Sequence, residues 1–155
     1  MNCIQTMKWA LFYPPKRFQW KIRVMNRSRS KLIKTLIRNN LARVHACHIS
    51  YNAKIDDSTF FPHPTGITIG DGVIIEPGCT VYQNVTIGRK EADENGYPII
   101  RCGSTVYAGA AVLGKIEIGP NAVVGANAVV VDFVGSNEIA VGIPARTIPR
   151  KKKDE

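Results

Sequence analysis

A chain of 155 residues is long enough for one compact body with its own core, and 45% hydrophobic with 21% charged residues excludes a disordered polymer. No run of 18 apolar residues occurs, so no membrane-crossing helix is expected; "WALFY" at 9–13 is too short, and too poor in small residues after it, for a cleaved signal peptide. The net charge of +9 is lopsided: residues 1–50 hold eleven Lys or Arg and no Asp or Glu, while residues 51–155 hold ten basic and twelve acidic residues.

Residues 1–45 are expected to form a basic helical segment. Pro14 and Pro15 exclude a helix running through from earlier residues. Residues 16–25 predict a short helix with Phe18, Ile22 and Met25 on one side and Trp20 nearby. "KLIKTLIRNNLARV" at 31–44 sets Leu32, Ile33, Leu36, Ile37, Leu41 and Val44 along one stripe, with Ser30 placed to cap the start. A basic amphipathic helix near Trp and Phe suits the surface of an anionic membrane, on its inner, cytoplasmic face. The same stripe also suits packing against the rest of the chain, and the two uses are compatible. No nucleic-acid recognition motif accompanies the charge.

From residue 46 to residue 147 the chain keeps a different beat. Aliphatic or aromatic residues open units of six: Ile49, Ile55 and Phe61, then Ile69, Ile75, Val81 and Ile87, then Ile100, Val106, Val112, Ile118, Val124 and Val130. The fifth position of a unit is usually small or β-branched, as at Ala53, Thr59, Val73, Cys79, Val85, Ala110, Ala122 and Ala128. Six residues turn a helix to the wrong face, and a sandwich needs longer strands with clear alternation. A hexapeptide period predicts a mainly β fold, a parallel β-helix, in which no unit has a core alone and each must stack on its neighbours.

Two breaks interrupt the beat. "PTGIT" at 64–68 delays the next opener by two residues and follows His63. A polar loop at 89–98, "RKEADENGYP", separates Ile87 from Ile100. Loops on a rigid scaffold are where sites are built. Residues 148–155 form a charged tail containing "RKKK" at 150–153. Cys3, Cys47, Cys79 and Cys102 match no zinc spacing and are expected as reduced thiols, Cys79 and Cys102 as small buried hydrophobes.

The segments "HPTGITIGDG", "VYQNVTIG", "YPIIRCGSTVYAGAAVLGKIEIG", "VVGANAVVV" and "VGIPARTI" resemble the C-terminal half of serine acetyltransferases and related O-acetyltransferases of polysaccharide clusters, over residues 48–147. The resemblance implies a left-handed parallel β-helix of 18-residue coils, a homotrimer, and acetyl-CoA as co-substrate with no metal. By the motif "HPTG", it implies that His63 is the catalytic base, taking the proton of a hydroxyl that attacks the thioester. It also implies that Gly88, Ala108 and Ala126 flank the pantetheine arm, with Arg146 near the CoA phosphates.

Three positions depart from the serine enzymes. An aspartate fifteen residues before the catalytic histidine is His48 here, which leaves Asp56, Asp57 or a backbone carbonyl to orient His63. The acidic residue before that histidine is Pro62, and an Arg-His pair is Gly96-Tyr97. With His48 and Tyr97 lining the acceptor pocket, charges suited to an amino acid are lost. The expected acceptor is therefore a sugar hydroxyl, free or lipid-linked, with L-serine as the alternative. A metal enzyme resembling the γ-class carbonic anhydrases and a non-catalytic trimeric scaffold are the remaining readings; His45, His48 and His63 do not have the metal family's spacing.

Overall fold

The computed structural model describes residues 14–91 and 96–150. Two helices lead: α1 (Pro14–Arg27) and α2 (Lys31–His45). Pro14 and Pro15 sit in the first turn of α1, where a missing N–H costs no intrahelical bond. The Ser30 side chain accepts from the Ile33 N–H at 3.4 Å and so caps α2. Ala46 adopts the left-handed conformation at its end, and the Cys47 N–H returns to the Leu41 carbonyl at 3.2 Å.

The helices plug one end of the body. Phe18, Ile22 and Met25 of α1 and Leu41 of α2 are buried, and the Phe18 ring meets Phe61 edge-on at 5.0 Å. The side-chain amides of Gln19 and Asn26 donate to the carbonyls of Thr59 and Ile55, each at 2.7 Å. Arg23 and Arg27 both reach Asp57, at 3.3 and 2.6 Å, across a half-exposed surface where such pairs contribute little.

The body is built from β1 (His48–Ile49), β2 (Lys54–Ile55), β3 (Thr68–Ile69), β4 (Ile74–Ile75), β5 (Thr80–Val81), β6 (Thr86–Gly88), β7 (Ile99–Ile100), β8 (Thr105–Val106), β9 (Ala111–Leu113), β10 (Glu117–Ile118), β11 (Val123–Val124), β12 (Val129–Val130), β13 (Glu138–Gly142) and β14 (Ala145–Pro149). They form three sheets: β1-β3-β6-β9-β12, β2-β4-β7-β10 and β5-β8-β11-β13-β14. All pairings are parallel except β13 with β14. The chain passes from the first sheet to the second, the second to the third, and back to the first. This is a left-handed parallel β-helix, a hand that crossover connections otherwise avoid.

The beat of six becomes three apolar columns inside the prism. They are Ile49, Ile69, Ile87, Val112 and Val130; Ile55, Ile75, Ile100, Ile118 and Val134; and Phe61, Val81, Val106, Val124 and Ala140. Each of these side chains is at most 4% exposed. Full burial of one such Ile or Val stabilises by roughly 1.5–3 kcal/mol, so the stack rather than any single unit holds the fold. The small residues at fifth positions lie inside as well, next to the turns. Cys79 is buried as expected, but Cys102 is exposed, because it falls within a turn between β7 and β8 rather than at an inward position.

Register records both breaks. Thr68 faces Thr86, eighteen residues on, and Ala111 faces Val129, again eighteen. His48 faces Thr68, two residues more, and Thr86 faces Ala111, seven more. The extra residues leave at the edges of the prism, and the ladders close beyond them. At the turns, left-handed backbone passes from coil to coil through Gly66, Asn84, Gly109 and Asn127. Asn127 Oδ1 fills the space over Gly109 so closely that a Cβ there would sit 2.1 Å from it. Glycine and asparagine alternate because both tolerate positive φ and only one can carry a side chain at each step.

Candidate active site

The prism has three edges, and the edge joining the third sheet back to the first carries the candidate chemistry. Residues 61–67, 82–85, 107–110 and 125–128 form its successive turns. His63 projects from the first of these and is exposed. Its carbonyl accepts the Thr65 N–H at 2.8 Å, and the Gly66 N–H donates to the His45 carbonyl at 3.0 Å. The turn that carries His63 is thereby tied to the end of α2. His45 itself points inward: its ring meets Phe18 edge-on at 5.3 Å and hydrogen-bonds the Pro64 backbone. Burial, then the nearby Lys21 charge, holds the His45 imidazole below its ordinary pKa.

Beside His63 stands an aromatic pair absent from the sequence-based expectations. The Tyr82 ring centroid lies 6.4 Å from that of His63, and Tyr82 stacks on Tyr107 at 4.9 Å with planes 19° apart. Both tyrosines follow an opener, Val81 and Val106, where many other units place a small or acidic residue. They are 25 residues apart, which is one coil once the seven-residue excess of the loop is allowed for. That correction is the signal that would have found them. Gln83, in the same turn as Tyr82, has its side-chain oxygen buried with no hydrogen-bond partner among the described residues.

Ala108 and Ala126 occupy the next two turns of this same edge, joined by a hydrogen bond from the Asn127 N–H to the Ala108 carbonyl at 2.9 Å. Ala126 is exposed and Ala108 half-buried, so the edge presents a shallow backbone-lined strip running away from His63. Gly88 and Tyr97 lie elsewhere, on the edge between the first and second sheets, at the two ends of the loop. A Cβ on Gly88 would meet nothing within 4 Å. The Tyr97 ring lies against Gly70 and Gly72, where a Cβ at Gly72 would come within 2.4 Å of it, and the Arg89 guanidinium sits 5.1 Å from the ring centroid. Tyr97 thus anchors the base of its own loop.

His48 opens β1 with an exposed side chain and Thr68 as its register neighbour. Asp56 and Asp57 do not orient His63: Asp57 pairs with Arg23 and Arg27, and Asp56 accepts from the Ser58 N–H at 2.8 Å, both on the edge between the second and third sheets. Arg146 is exposed on β14, opposite Val141. It lines a cavity of about 420 Å³ with Val130, Phe133 and Ala140 at the far end of the prism. Lys151–Lys153, residues 1–13 and residues 92–95 lie outside the described residues. A second cavity, about 570 Å³, opens between the helices and the second sheet, lined by Asn26, Lys34, Tyr51, Lys54 and Glu76; it shares no residue with the His63 edge. Among the described residues no three His, Cys, Asp or Glu side chains are grouped to hold a metal ion.

No family model matches the chain. The serine acetyltransferase of Haemophilus influenzae is 36% identical over 124 residues, covering 79% of this chain and 46% of the relative. A crystal structure of Neisseria gonorrhoeae serine acetyltransferase superposes with a TM-score of 0.84 at 26% identity, over 95% of this chain and 59% of that one. The chain belongs to the serine acetyltransferase-like group of hexapeptide-repeat acyltransferases. A further member of the group, a serine acetyltransferase solved in complex with CoA, superposes with a TM-score of 0.73 at 32% identity, over 86% of this chain and 55% of that one. The 95% coverage exceeds what the coils alone supply, so the front helices align too. The chain spans about half the length of the curated group members it matches.

Proposed function

We propose that the protein is an acetyl-CoA-dependent O-acetyltransferase in which His63 is the general base. The hydroxyl of L-serine is the acceptor that its relatives favour, since curated proteins similar to it are named for that reaction. The observation that carries the reading is the single edge on which an exposed histidine is followed by Tyr82 and then, on the next two coils, by Ala108 and Ala126. A neutral imidazole at His63 takes the hydroxyl proton as the oxygen attacks the thioester carbonyl, and the CoA sulfur leaves. The small side chains fit a pantetheine arm laid against backbone, and the open space over Gly88 fits the same need on the loop's edge. Arg146 is suited to CoA phosphate by charge.

Gly88 and Tyr97 stand on a different edge from His63, so one copy cannot readily offer both sets to one acceptor. A homotrimer, in which the loop of one copy meets the histidine edge of the next, unites them. A second reading places a sugar hydroxyl, free or lipid-linked, where serine would bind. The stacked Tyr82–Tyr107 pair favours it, because aromatic faces pack well against sugar rings, as does the neutral Pro62 beside His63. The deciding experiment follows CoA thiol release from acetyl-CoA with L-serine, nucleotide-linked sugars and lipid-linked sugars as acceptors. Turnover with serine supports the first reading and turnover with sugars alone the second. No turnover with any acceptor, together with no CoA binding, overturns both.

A further inference from the structure

The body covers only two of the six apolar residues along the α2 stripe. Ile37 and Leu41 turn into the body, and Lys34 and Arg38 lie over the Tyr51 ring at 5.9 and 5.6 Å. On the other side Leu32, Ile33, Leu36 and Val44 are 69%, 43%, 59% and 61% exposed. At 100° per residue these four share an arc of about 120°. Arg43 falls inside that arc and is exposed, Arg29 is exposed just before the helix, and residues 1–50 contain no carboxylate. Trp20 of α1 is also 61% exposed.

We propose that the outward face of α2 docks on an anionic phospholipid surface, with Leu32, Ile33, Leu36 and Val44 entering the headgroup boundary and the flanking cations meeting lipid phosphates. Charge selects this occupant. A second copy laid face to face would bring two carboxylate-free cationic helices together, whereas an anionic leaflet neutralises them. A helix of this kind lies in the interface plane rather than crossing it. The proposal is independent of which acceptor the site uses.

The test is flotation of the full chain with phosphatidylcholine vesicles, with or without phosphatidylserine. Binding is expected only with phosphatidylserine and is expected to fall in high salt. Because the residues are exposed, Leu32→Glu/Leu36→Glu should keep the wild-type melting curve and lower vesicle-bound protein by at least about tenfold. Three results would overturn the proposal. One is no flotation of the wild type, and another is equal flotation of the double variant. The third is a smaller particle for the double variant in sedimentation, which would show that a second copy covers the face.

Discussion

Tyr82 stacks on Tyr107, centroids 4.9 Å apart, one coil after another along the edge that begins with His63. Tyr107 is 41% exposed, so its outer ring edge is free to meet a ligand. An aromatic contact of this type contributes about 0.5–1.5 kcal/mol. Tyr107→Ala is therefore expected to raise the KM for the acceptor about two- to tenfold, with kcat nearly unchanged. A KM left at the wild-type value would remove the pair from the acceptor site.

His63 is exposed and, among the described residues, its ring contact is with Tyr82. His63→Ala should leave thermal unfolding where it is. Losing a general base typically lowers kcat by about 10²–10⁴-fold. Steady-state rates of CoA thiol release check this, and an undiminished kcat would assign the base elsewhere.

Ala126 is exposed on the strip beyond His63, and a larger side chain there meets no core. Ala126→Leu should weaken CoA binding while molecular mass in sedimentation and the melting temperature stay constant. Calorimetric titration with CoA reads the outcome. Unchanged affinity would show that the arm runs along another edge.

Gly109 has φ of 72° and lies under Asn127 Oδ1. Gly109→Ala combines a strained backbone with a contact at 2.1 Å, and a loss of about 1–3 kcal/mol is expected from chemical unfolding. Asn127→Gly in the same background should restore part of that loss by vacating the space.

His45 sets an acid limit on the helix–prism junction. Its folded-state pKa is held down, chiefly by burial and then by Lys21, while the unfolded imidazole titrates near about 6.5. Below that pH the unfolded chain binds a proton that the folded chain resists. Stability is therefore full above about pH 6.5 and declines as pH falls toward the folded value. His45→Gln should flatten this part of the melting temperature profile between neutral and mildly acidic buffers. A wild-type profile retained by the variant would place the sensitivity on other groups.

The scaffold was legible because its rule is local and repeated: an opener every sixth residue must point inward, and all thirteen openers do. The helices were legible for the same reason, with Phe18, Ile22 and Met25 buried together and Ser30 at its cap. What periodicity does not carry is the hand of the coil, since both hands bury the same positions. Nor does it carry which edge faces which. His63, Ala108 and Ala126 share an edge, whereas Gly88 and Tyr97 fall on another, and the difference depends on how many residues each break adds. The tyrosine pair was hidden by the same count.

The seven added residues between β6 and β9 change nothing about how those strands pair. Chain length at an edge is thus uncoupled from the ladders, and an edge behaves like a margin into which text can be written without moving the lines. Recognition loops of other lengths and chemistries should graft at 89–98, or at the matching turn of a neighbouring coil, without refolding the shaft that carries them.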